Sequence, residues 1–387
     1  MRGLQLNAVW KPRDGYTPTE REVKDRRALC ANNIWRDTKL EIVELPIPEP
    51  ADDEVLMKVG ACGICGSDIS FLHEDAEGYS AYTGHTLLPV IIGHEFAGEV
   101  AAVGKNVTKF KPGDLVTAET MNWCGTCMPC RMGMFNQCEN LEEIGFSKNG
   151  GMGQYLVAKE KYCLNINEFL NVYHDRQKAM EVGSIVEPTA VAYNAMFTFG
   201  KGFKPGAYVA VFGAGPIGLS AIQLAKAAGA AKIFVFEFSA SRLELAGKLG
   251  ATDLCNLADG VPASRHILEG TNGIGVHMAV ECTAHCDKNI PEIEKALAIG
   301  GKYVQIGHQI GKAELFAQNY QKKAGTIYGS NGSSGHGNWE SVIRLIAGGC
   351  IDPSQIIAET YPLDRAIEGI HAAESGIGGK YLITPNL

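Results

Sequence analysis

The segment from 205 to 331 constrains the fold most, because strand-like and helix-like stretches alternate along it. AYVAVFG is an almost wholly apolar run, which is typical of a parallel strand covered on both faces. PIGLSAIQLAKAAGA follows with helical periodicity, and KIFVFE, SRLELAGKLGA, HMAVECTA, IEKALAIG, KYVQIG and TIYGSN continue the alternation. This rhythm predicts βαβ units and an α/β fold with a doubly wound parallel sheet.

A glycine-rich turn joins the first strand of this segment to its first helix. Its G-x-G-x-x-G spacing permits a tight turn and lets a pyrophosphate approach the backbone at the positive end of the helix. Without a ligand the same residues would be only a glycine turn, but the flanking strand and helix favour dinucleotide binding. The cofactor contacts predicted in this turn are Gly213, Gly215, Pro216, Ile217 and Gly218.

Glu237 ends the next strand, 19 residues after Gly218. A carboxylate at this point accepts hydrogen bonds from both ribose hydroxyls of the adenosine and repels a 2′-phosphate. The sequence therefore predicts NAD rather than NADP. Arg242 follows five residues later and is a candidate to stack near the adenine, with an exposed cation at a helix start as the alternative.

The first half of the chain and its last fifty-odd residues have a different, β-rich pattern. LEIVELPIPEP (40–50) and DEVLMKVGACG (53–63) alternate apolar and polar residues and end in Pro or Gly, and EFAGEVAAVG and FKPGDLVTAE repeat this pattern. Residues 11–35 carry mixed charges and interrupt it. We interpret them as a solvated surface arm, with a partner-facing arm as the alternative.

The overall composition narrows the possible functions. The 387 residues carry a net charge of −8 with a pI near 5.7, which argues against a nucleic-acid or membrane-surface partner. The opening residues contain no signal-peptide core, and no segment approaches the roughly 18 apolar residues of a membrane span. A cytoplasmic location is expected, where thiols stay reduced, so clustered cysteines among the 12 indicate metal binding rather than disulfides.

One cysteine cluster has the spacing of a closed metal site. Cys124, Cys127, Cys130 and Cys138 lie within 15 residues of a lobe at about 122–140, with glycines and a proline that bend the chain. Four thiolates can wrap one tetrahedral zinc ion and leave no open position for substrate. We therefore predict a structural zinc site.

A second group of metal-ligand residue types is dispersed. Cys65 in GACGICGSD and His94 with Glu95 in PVIIGHEFAG have glycine-rich surroundings in which a metal could approach. A catalytic zinc needs three protein ligands and one open position. Glu187, directly before Pro188 at the head of an apolar helix, is either the third ligand or an acid that interacts with the helix dipole.

With these motifs in place, the chain resembles the zinc-dependent medium-chain dehydrogenase family over nearly its whole length. The motifs CGICGSD, GHEFAG, KPGDLV, the four-cysteine lobe, GGMGQYLV, VEPTAVAYNA and FGAGPIG occur in the family's order. The resemblance implies a GroES-like, β-rich catalytic domain, residues 1–188 and 333–387, interrupted by a Rossmann NAD-binding domain, residues 189–332. It also implies an active site between the two domains.

The resemblance implies roles for particular residues. Cys65 and His94 would bind a catalytic zinc, Glu95 would lie beside it or move onto it, and Asp68 would orient His94. The dipeptide Glu187-Pro188 is similar to that of the polyol branch, in which the acid binds the metal or its water. Ser67 would begin a proton relay; many relatives have histidine where this chain has Ser70, and His73 is a doubtful substitute. Further cofactor positions are Ile306, Gly307, Ser330 and Asn331.

The implied activity is hydride transfer from a secondary alcohol of a polyol or cyclitol to NAD, with two zinc ions per chain in a homo-oligomer, a tetramer or dimer. The loop EDAEGYSAYTGHTLLPVIIGHE, the stretch GSNGSSGHGNW with His336, the long arm and CENLEEIGF are similar to the inositol-pathway branch. Sorbitol-, glucose- and L-threonine-type zinc dehydrogenases are the alternatives. A zinc-free NADPH quinone reductase and a non-catalytic nucleotide-binding protein are more remote.

Overall fold

The computed structural model describes residues 1–308 and 311–387. Contacts divide the described chain into two compact units. The first comprises Met1–Glu187, Glu359–Ser375 and Tyr381–Leu387, and the second comprises Pro188–Ala358 and Gly376–Lys380. This division differs from the sequence-based one over 333–358, because those residues hydrogen-bond within the second unit: Asn338 Nδ2 donates to Asn194 Oδ1 over 2.9 Å, and Gln223 Nε2 donates to Asp352 O over 3.0 Å.

The first unit is built on antiparallel sheets. Its strands are β1 (Arg2–Trp10), β2 (Arg27–Ala28), β3 (Trp35–Glu44), β4 (Glu54–Gly63), β5 (Thr86–Leu87), β6 (Val90–Ile91), β7 (Glu95–Val103), β8 (Leu115–Ala118), β9 (Met121–Asn122), β10 (Glu142–Glu143), β11 (Tyr155–Lys159) and β12 (Cys163–Asn165). Strands β19 (Ile357–Pro362) and β20 (Lys380–Thr384) complete the main sheet, whose order is β12-β8-β7-β4-β20-β19, with β11 also paired to β4. Separate sheets are formed by β3-β1-β6, β10-β9 and β2-β5.

Short helices accompany these sheets. They are α1 (Glu20–Asp25), α2 (Gly66–Ser70), α3 (Met128–Arg131), α4 (Phe169–Tyr173), α5 (Arg176–Ser184) and, near the end of the chain, α13 (Ala366–Glu374). Helix α6 (Val186–Tyr193) begins in the first unit, and its residues from Pro188 onward belong to the second. The core lies where β4 and β7 pair, because Val55, Met57 and Val59 of β4 are fully buried while Lys58 of the same strand is exposed. This apolar layer fixes the ends of β4 and β7, which carry the metal-ligand motifs.

Residues 11–35 lie at the surface, as interpreted from the sequence, and one side of this arm also packs against the first unit. Glu22 of α1 is fully buried, and its carboxylate accepts hydrogen bonds from Thr19 N at 2.8 Å and Leu29 N at 2.9 Å. Strand β2 of the arm pairs with β5, and Arg27 Nη1 donates to Leu141 O over 2.8 Å. Among the charged residues of the arm, Glu22 and Arg27 therefore make buried or bridging contacts, while most of the others face water.

The second unit confirms the doubly wound parallel sheet. Its strands are β13 (Tyr208–Phe212), β14 (Lys232–Glu237), β15 (Asp253–Asn256), β16 (Val276–Glu281), β17 (Leu297–Gln305) and β18 (Thr326–Gly329). Its helices are α7 (Pro216–Ala227), α8 (Ala240–Leu249), α9 (Ala263–Gly270), α10 (Cys286–Ala296), α11 (Ala317–Lys323) and α12 (Asn338–Ala347). The order β15-β14-β13-β16-β17-β18 is that of a dinucleotide-binding Rossmann sheet, with β13 at the point where strand order reverses.

Two local predictions need correction. The alternation implies a helix at IEKALAIG, but α10 ends at Ala296 and β17 begins at Leu297, where Leu297 and Ala298 are buried in the sheet. The last fifty-odd residues are not purely β-rich, since α12 and α13 both lie there; Trp339 and Ile346 of α12 are fully buried. No helix within 1–308 and 311–387 has the length and apolar character required to cross a membrane.

Candidate active site

Cys65 stands at the start of α2, where β4 has just ended. Asp68 Oδ2 accepts a hydrogen bond from Cys65 N over 2.9 Å, which holds the first turn of α2 in place. Asp68 is fully buried, and its Oδ1 lies 3.9 Å from His94 Nδ1. The predicted position of Asp68 beside His94 therefore agrees with the geometry, and the same carboxylate also fixes the backbone of Cys65.

Two glycines make room for His94 and Glu95. Gly93 has a φ of +92°, and a Cβ there would lie 2.6 Å from Cys62 Sγ, so glycine alone fits before the histidine. Gly63 is paired with Glu95 across β4 and β7, and a Cβ on Gly63 would lie 2.1 Å from Glu95 Oε2. The buried cysteine Cys62 thus has a packing role beside this turn.

The ligand atoms of Cys65, His94 and Glu95 all lie within 4.8 Å of one another. Glu187, in the first turn of α6, is outside this group by that measure but is buried, with 7 % of its surface exposed. The negative charge of Glu187 is one of those that raise the pKa of the His94 imidazole. The structure therefore brings three of the four predicted ligands together and places the fourth within electrostatic reach of the imidazole.

The charges at this site fit a metal cation. Burial alone would lower the pKa of the His94 imidazole, but the negative charges of Cys65, Asp68 and Glu187 outweigh burial and raise that pKa well above its ordinary value. Several buried acids and a thiol around one imidazole are costly unless a cation neutralises them. Thiolate, imidazole and carboxylate are also the ligands that zinc uses in catalytic sites.

Three residues bear on the predicted proton relay. The buried Ser67 Oγ has no hydrogen-bond partner among the residues that the structure describes. Ser70 Oγ donates to Gly66 O over 2.9 Å, so its hydroxyl hydrogen is bonded to its own helix. His73 Nε2 lies 2.8 Å from Glu374 Oε1 on the surface, with half of its side chain exposed.

The four cysteines of the lobe form a second metal-ligand group. The sulfur atoms of Cys124, Cys127, Cys130 and Cys138 lie within 4.8 Å of one another. Backbone amides point at two of them: Thr126 N and Cys127 N donate to Cys124 Sγ over 3.4 Å, and Asn140 N donates to Cys138 Sγ over 3.3 Å. Hydrogen bonds from Thr126 and Cys127 lower the pKa of Cys124 to about 5, which favours the thiolate that zinc binds.

The glycine turn of the second unit has the geometry that a pyrophosphate needs. Gly213 has a φ of +87°, and a Cβ on Gly218 would lie 1.9 Å from Gly213 O, so strand and helix approach each other as closely as glycine allows. A Cβ on Gly215, the residue before α7, would meet no described atom within 4 Å. Pro216 and Ile217 begin α7, so its N-terminal amides lie at this turn.

Glu237 is fixed by backbone amides at the end of β14. Its Oε2 accepts from Ala214 N over 2.9 Å, and its Oε1 accepts from Phe238 N over 2.7 Å and from Ser239 N over 3.1 Å. The acid is therefore held against the glycine turn. Arg242 is engaged elsewhere: its Nε donates to Gly378 O over 3.1 Å, which ties α8 to the segment 376–380.

The remaining cofactor candidates lie at the ends of β17 and β18. Ile306 is buried, and a Cβ on Gly307 would lie 1.7 Å from Thr283 O. Ser330 N donates to Gln305 O over 3.1 Å, and Asn331 is exposed. These positions follow the carboxyl ends of parallel strands, where ligands bind in such sheets. His336 is exposed, with its ring 6.2 Å from that of Phe199.

Sequence reasoning missed residues that lie beside the ligand group. The ring of Phe146 is 4.8 Å from that of His94, and the ring of Tyr82 stacks on Phe146 at 5.1 Å. In the same turn as Phe146, Glu143 Oε2 lies 3.5 Å from His85 Nδ1. Burial raises the pKa of Glu143 to about 7, against the effect of the His94 charge, while burial and Arg27 lower the pKa of His85 to about 4. A sequence signal for Glu143 was available in ENLEEIGF. Its two acids are adjacent, and on a short strand one such side chain faces inward while the other faces outward.

Family models match both units of the chain. Residues 51–168 match the alcohol dehydrogenase GroES-like domain, and residues 216–348 match the zinc-binding dehydrogenase domain. The first match contains Cys65, His94 and the four-cysteine lobe. The second begins at Pro216, inside the glycine turn, and contains Gly218.

Individual relatives match most of the chain. A scyllo-inosose 3-dehydrogenase of Thermotoga maritima is 36% identical over 385 residues, 96% of this chain and 96% of the relative. An L-threonine 3-dehydrogenase of Caldanaerobacter subterraneus is 35% identical over 348 residues, 89% of this chain and 95% of the relative.

Solved structures agree. A candidate alcohol dehydrogenase of Thermotoga maritima has a TM-score of 0.94 at 34% identity, with 99% of both chains covered. A candidate zinc-binding dehydrogenase of Sinorhizobium meliloti bound to NADP has a TM-score of 0.77 at 27% identity, covering 98% of this chain and 99% of that one. The GroES-like and Rossmann expectation is confirmed, and this chain is a dehydrogenase that belongs to the zinc-binding alcohol dehydrogenase family.

Proposed function

We propose that this protein is an NAD-linked zinc dehydrogenase that oxidises a secondary alcohol of a polyol, with an inositol- or inosose-like cyclitol as the preferred substrate class. The observation that carries the proposal is the composition of the ligand group, in which a single cysteine, Cys65, is accompanied by His94 and Glu95. The buried Glu187 lies outside that group but within electrostatic reach of His94. The 36% identity with a scyllo-inosose 3-dehydrogenase over nearly the full length of both chains supports the substrate class.

The residues that would hold a catalytic zinc are Cys65 and His94, with Glu95 or Glu187 as the third ligand. Zinc supplies a Lewis acid that lowers the pKa of the substrate hydroxyl. The acid that is not a ligand can accept hydrogen bonds from neighbouring hydroxyls, which suits a polyhydroxylated substrate better than a simple alcohol. The sulfur cluster of the lobe would hold a second, structural zinc.

Ser67 is the residue that we assign to the first proton transfer. It lies two residues from Cys65 in α2, and its buried hydroxyl oxygen has no hydrogen-bond partner among the described residues. Its hydroxyl can accept a hydrogen bond from the substrate hydroxyl and relay the proton by releasing its own hydrogen to water, while NAD accepts the hydride. Because the Ser70 hydroxyl donates its hydrogen bond to Gly66 O, Ser70 is poorly suited to receive the proton from Ser67.

A screen of NAD reduction tests the substrate class. We expect the highest kcat/KM with inositols or inososes among a set that also contains hexitols, aldohexoses and L-threonine. A preference for L-threonine would place the chain with the threonine 3-dehydrogenases that it also resembles. Turnover with none of these compounds in zinc-loaded protein would contradict the proposed function.

The cofactor preference should depend on the charge of Glu237. We expect Glu237→Gln to raise the ratio of kcat/KM with NADP to that with NAD by roughly tenfold or more, because it removes a like charge facing a 2′-phosphate. Steady-state kinetics with both cofactors measure this ratio. Glu244→Gln is the matched control, since Glu244 lies on α8 with its side chain 70% exposed and paired to Lys248. An unchanged ratio in the Glu237 variant would contradict the assigned role.

A further inference from the structure

Glu143 and His85 form a buried acid–imidazole pair that the proposed chemistry does not use. Their facing atoms, Glu143 Oε2 and His85 Nδ1, lie 3.5 Å apart. The two side chains keep 12% and 17% of their surface exposed, so solvent-sized groups reach both. The other ring nitrogen of His85, Nε2, is buried without a hydrogen-bond partner in the described part of the chain. Such a nitrogen is costly unless a further polar group meets it.

The pair adjoins the ligand group through the turn that carries Glu143. Glu143 O accepts hydrogen bonds from Phe146 N over 3.2 Å and from Ser147 N over 2.8 Å, which closes the turn. A Cβ on Gly145 of this turn would lie 2.8 Å from the Gly93 carbonyl carbon, so the turn rests on the backbone just before His94. The ring of Phe146 then packs on His94 at 4.8 Å.

Charges of the ligand group and of the Glu143–His85 pair affect pKa values in the same neighbourhood. His94 affects the pKa of Glu143, and both Glu143 and Cys65 contribute, after burial, to raising the pKa of Tyr82. Tyr82 stacks on Phe146 and so lies with the pair and the ligand group in one neighbourhood of the first unit. Polar groups that belong to neither the metal ligands nor the relay therefore stand beside the place where the reacting hydroxyl must bind.

Contacts of the arm, residues 11–35, fix the backbone next to both His85 and Glu143. Ala28 of β2 pairs with Thr86, the residue after His85, and Ala31 N donates to Gly84 O over 2.9 Å, on the other side of His85. Arg27 Nη1 donates to Leu141 O over 2.8 Å, close before Glu143. The positions of both side chains are thus fixed by contacts outside the ligand group, as expected for a binding surface of defined shape.

We propose that Glu143, oriented by His85, recognises a substrate hydroxyl other than the one that is oxidised, and so selects polyols over simple alcohols. The inference rests on the proposed function, because it requires a polyhydroxylated substrate at the metal site. Glu143 can accept a hydrogen bond from that hydroxyl, and His85, whose Nδ1 lies 3.5 Å from Glu143 Oε2, orients the carboxylate. Near neutral pH, His85 is uncharged and Glu143 titrates, since their pKa values are about 4 and about 7. The pair is therefore suited to a neutral hydroxyl.

A comparison of substrates and variants tests this assignment. The best polyol of the screen and its monodeoxy analogues are assayed with wild type, Glu143→Gln and Glu143→Ala. For wild type, we expect one deoxy analogue to lose roughly 10- to 100-fold in kcat/KM, the loss typical of a hydrogen bond to a charged group. For Glu143→Ala, the same analogue and the parent polyol should differ by less than about threefold, since the partner of that hydroxyl is gone.

The matched control is Glu142→Gln, whose wild-type side chain is 44% exposed and lies 2.8 Å from Lys148. It should retain the wild-type pattern of analogue losses. Metal content and thermal unfolding establish that each Glu143 variant is folded, and the isosteric Glu143→Gln provides the readout if the alanine variant is not. Equal losses on every analogue in wild type and variants would overturn this inference alone. No polyol turnover by wild type would overturn the proposed function itself.

Discussion

Replacing Cys65 with alanine is expected to lower kcat at least about 1000-fold, because the loss of the thiolate ligand removes the Lewis-acid contribution of several kcal/mol. The affinity for NAD should stay within about threefold, since the glycine turn and Glu237 belong to the other compact unit. Turnover assays, cofactor titration and metal analysis together measure the effect. We expect two zinc ions per wild-type chain and one per Cys65→Ala chain.

Cys62→Ala is the matched control for this variant. Cys62 is fully buried and packs beside Gly93, and its sulfur is not part of the ligand group among the described residues. The small cavity should cost about 1 kcal/mol of stability but leave both metals bound. If Cys62→Ala loses a metal and Cys65→Ala does not, the site is misassigned. Parallel loss of turnover and NAD binding in Cys65→Ala would equally count against it.

Replacing Cys138 with serine is expected to destabilise the protein rather than to abolish its chemistry directly. Cys138 is buried and accepts hydrogen bonds from Cys124 N and Asn140 N, both over 3.3 Å, so its loss opens the lobe at two points. Structural zinc binding contributes free energy directly to folding, and we expect the melting temperature to fall by roughly 5–15 °C. Calorimetry and metal analysis should detect the loss of one zinc ion per chain.

Cys350→Ser controls for the removal of a thiol as such. Cys350 is exposed and lies in the second unit, away from the lobe in sequence and in unit. Its replacement should change the melting temperature by less than about 2 °C, as is usual for surface substitutions. If both cysteine variants unfold at the wild-type temperature, the lobe does not depend on a metal for its stability.

The parallel sheet could be predicted from sequence because its signal is local. The strands β13 and β14 are buried on both faces, so their apolar runs and the glycine turn after β13 appear together in the chain. The boundary at Ala296 and Leu297 could not be predicted in this way, since an apolar run after a helix fits either a further helical turn or a strand. The pairing of β17 with β16 is what makes the segment after Ala296 a strand.

The residues of the candidate site also divide into those with a local sequence signal and those without one. Cys65, His94 and Glu95 belong to short motifs with glycines whose need is visible in the structure, so their recognition required no knowledge of distant contacts. Glu143 and His85 have no such motif: they are 58 residues apart and meet only because β2, β5 and the 143–148 turn come together. The packing of part of 11–35 could not be predicted for a related reason, because bridging side chains such as Glu22 and Arg27 cannot be distinguished from solvated ones in a sequence.

The packed arm has a consequence for attempts to change the substrate. Residues 11–35 hold the loop that carries His85 and the turn that carries Glu143, although all three are distant in the chain. Exchanging the 73–88 loop with that of a relative would therefore leave the arm facing a surface that it does not fit. A chimaera that is to acquire a new specificity has to receive all three stretches together, as a single transplantable module.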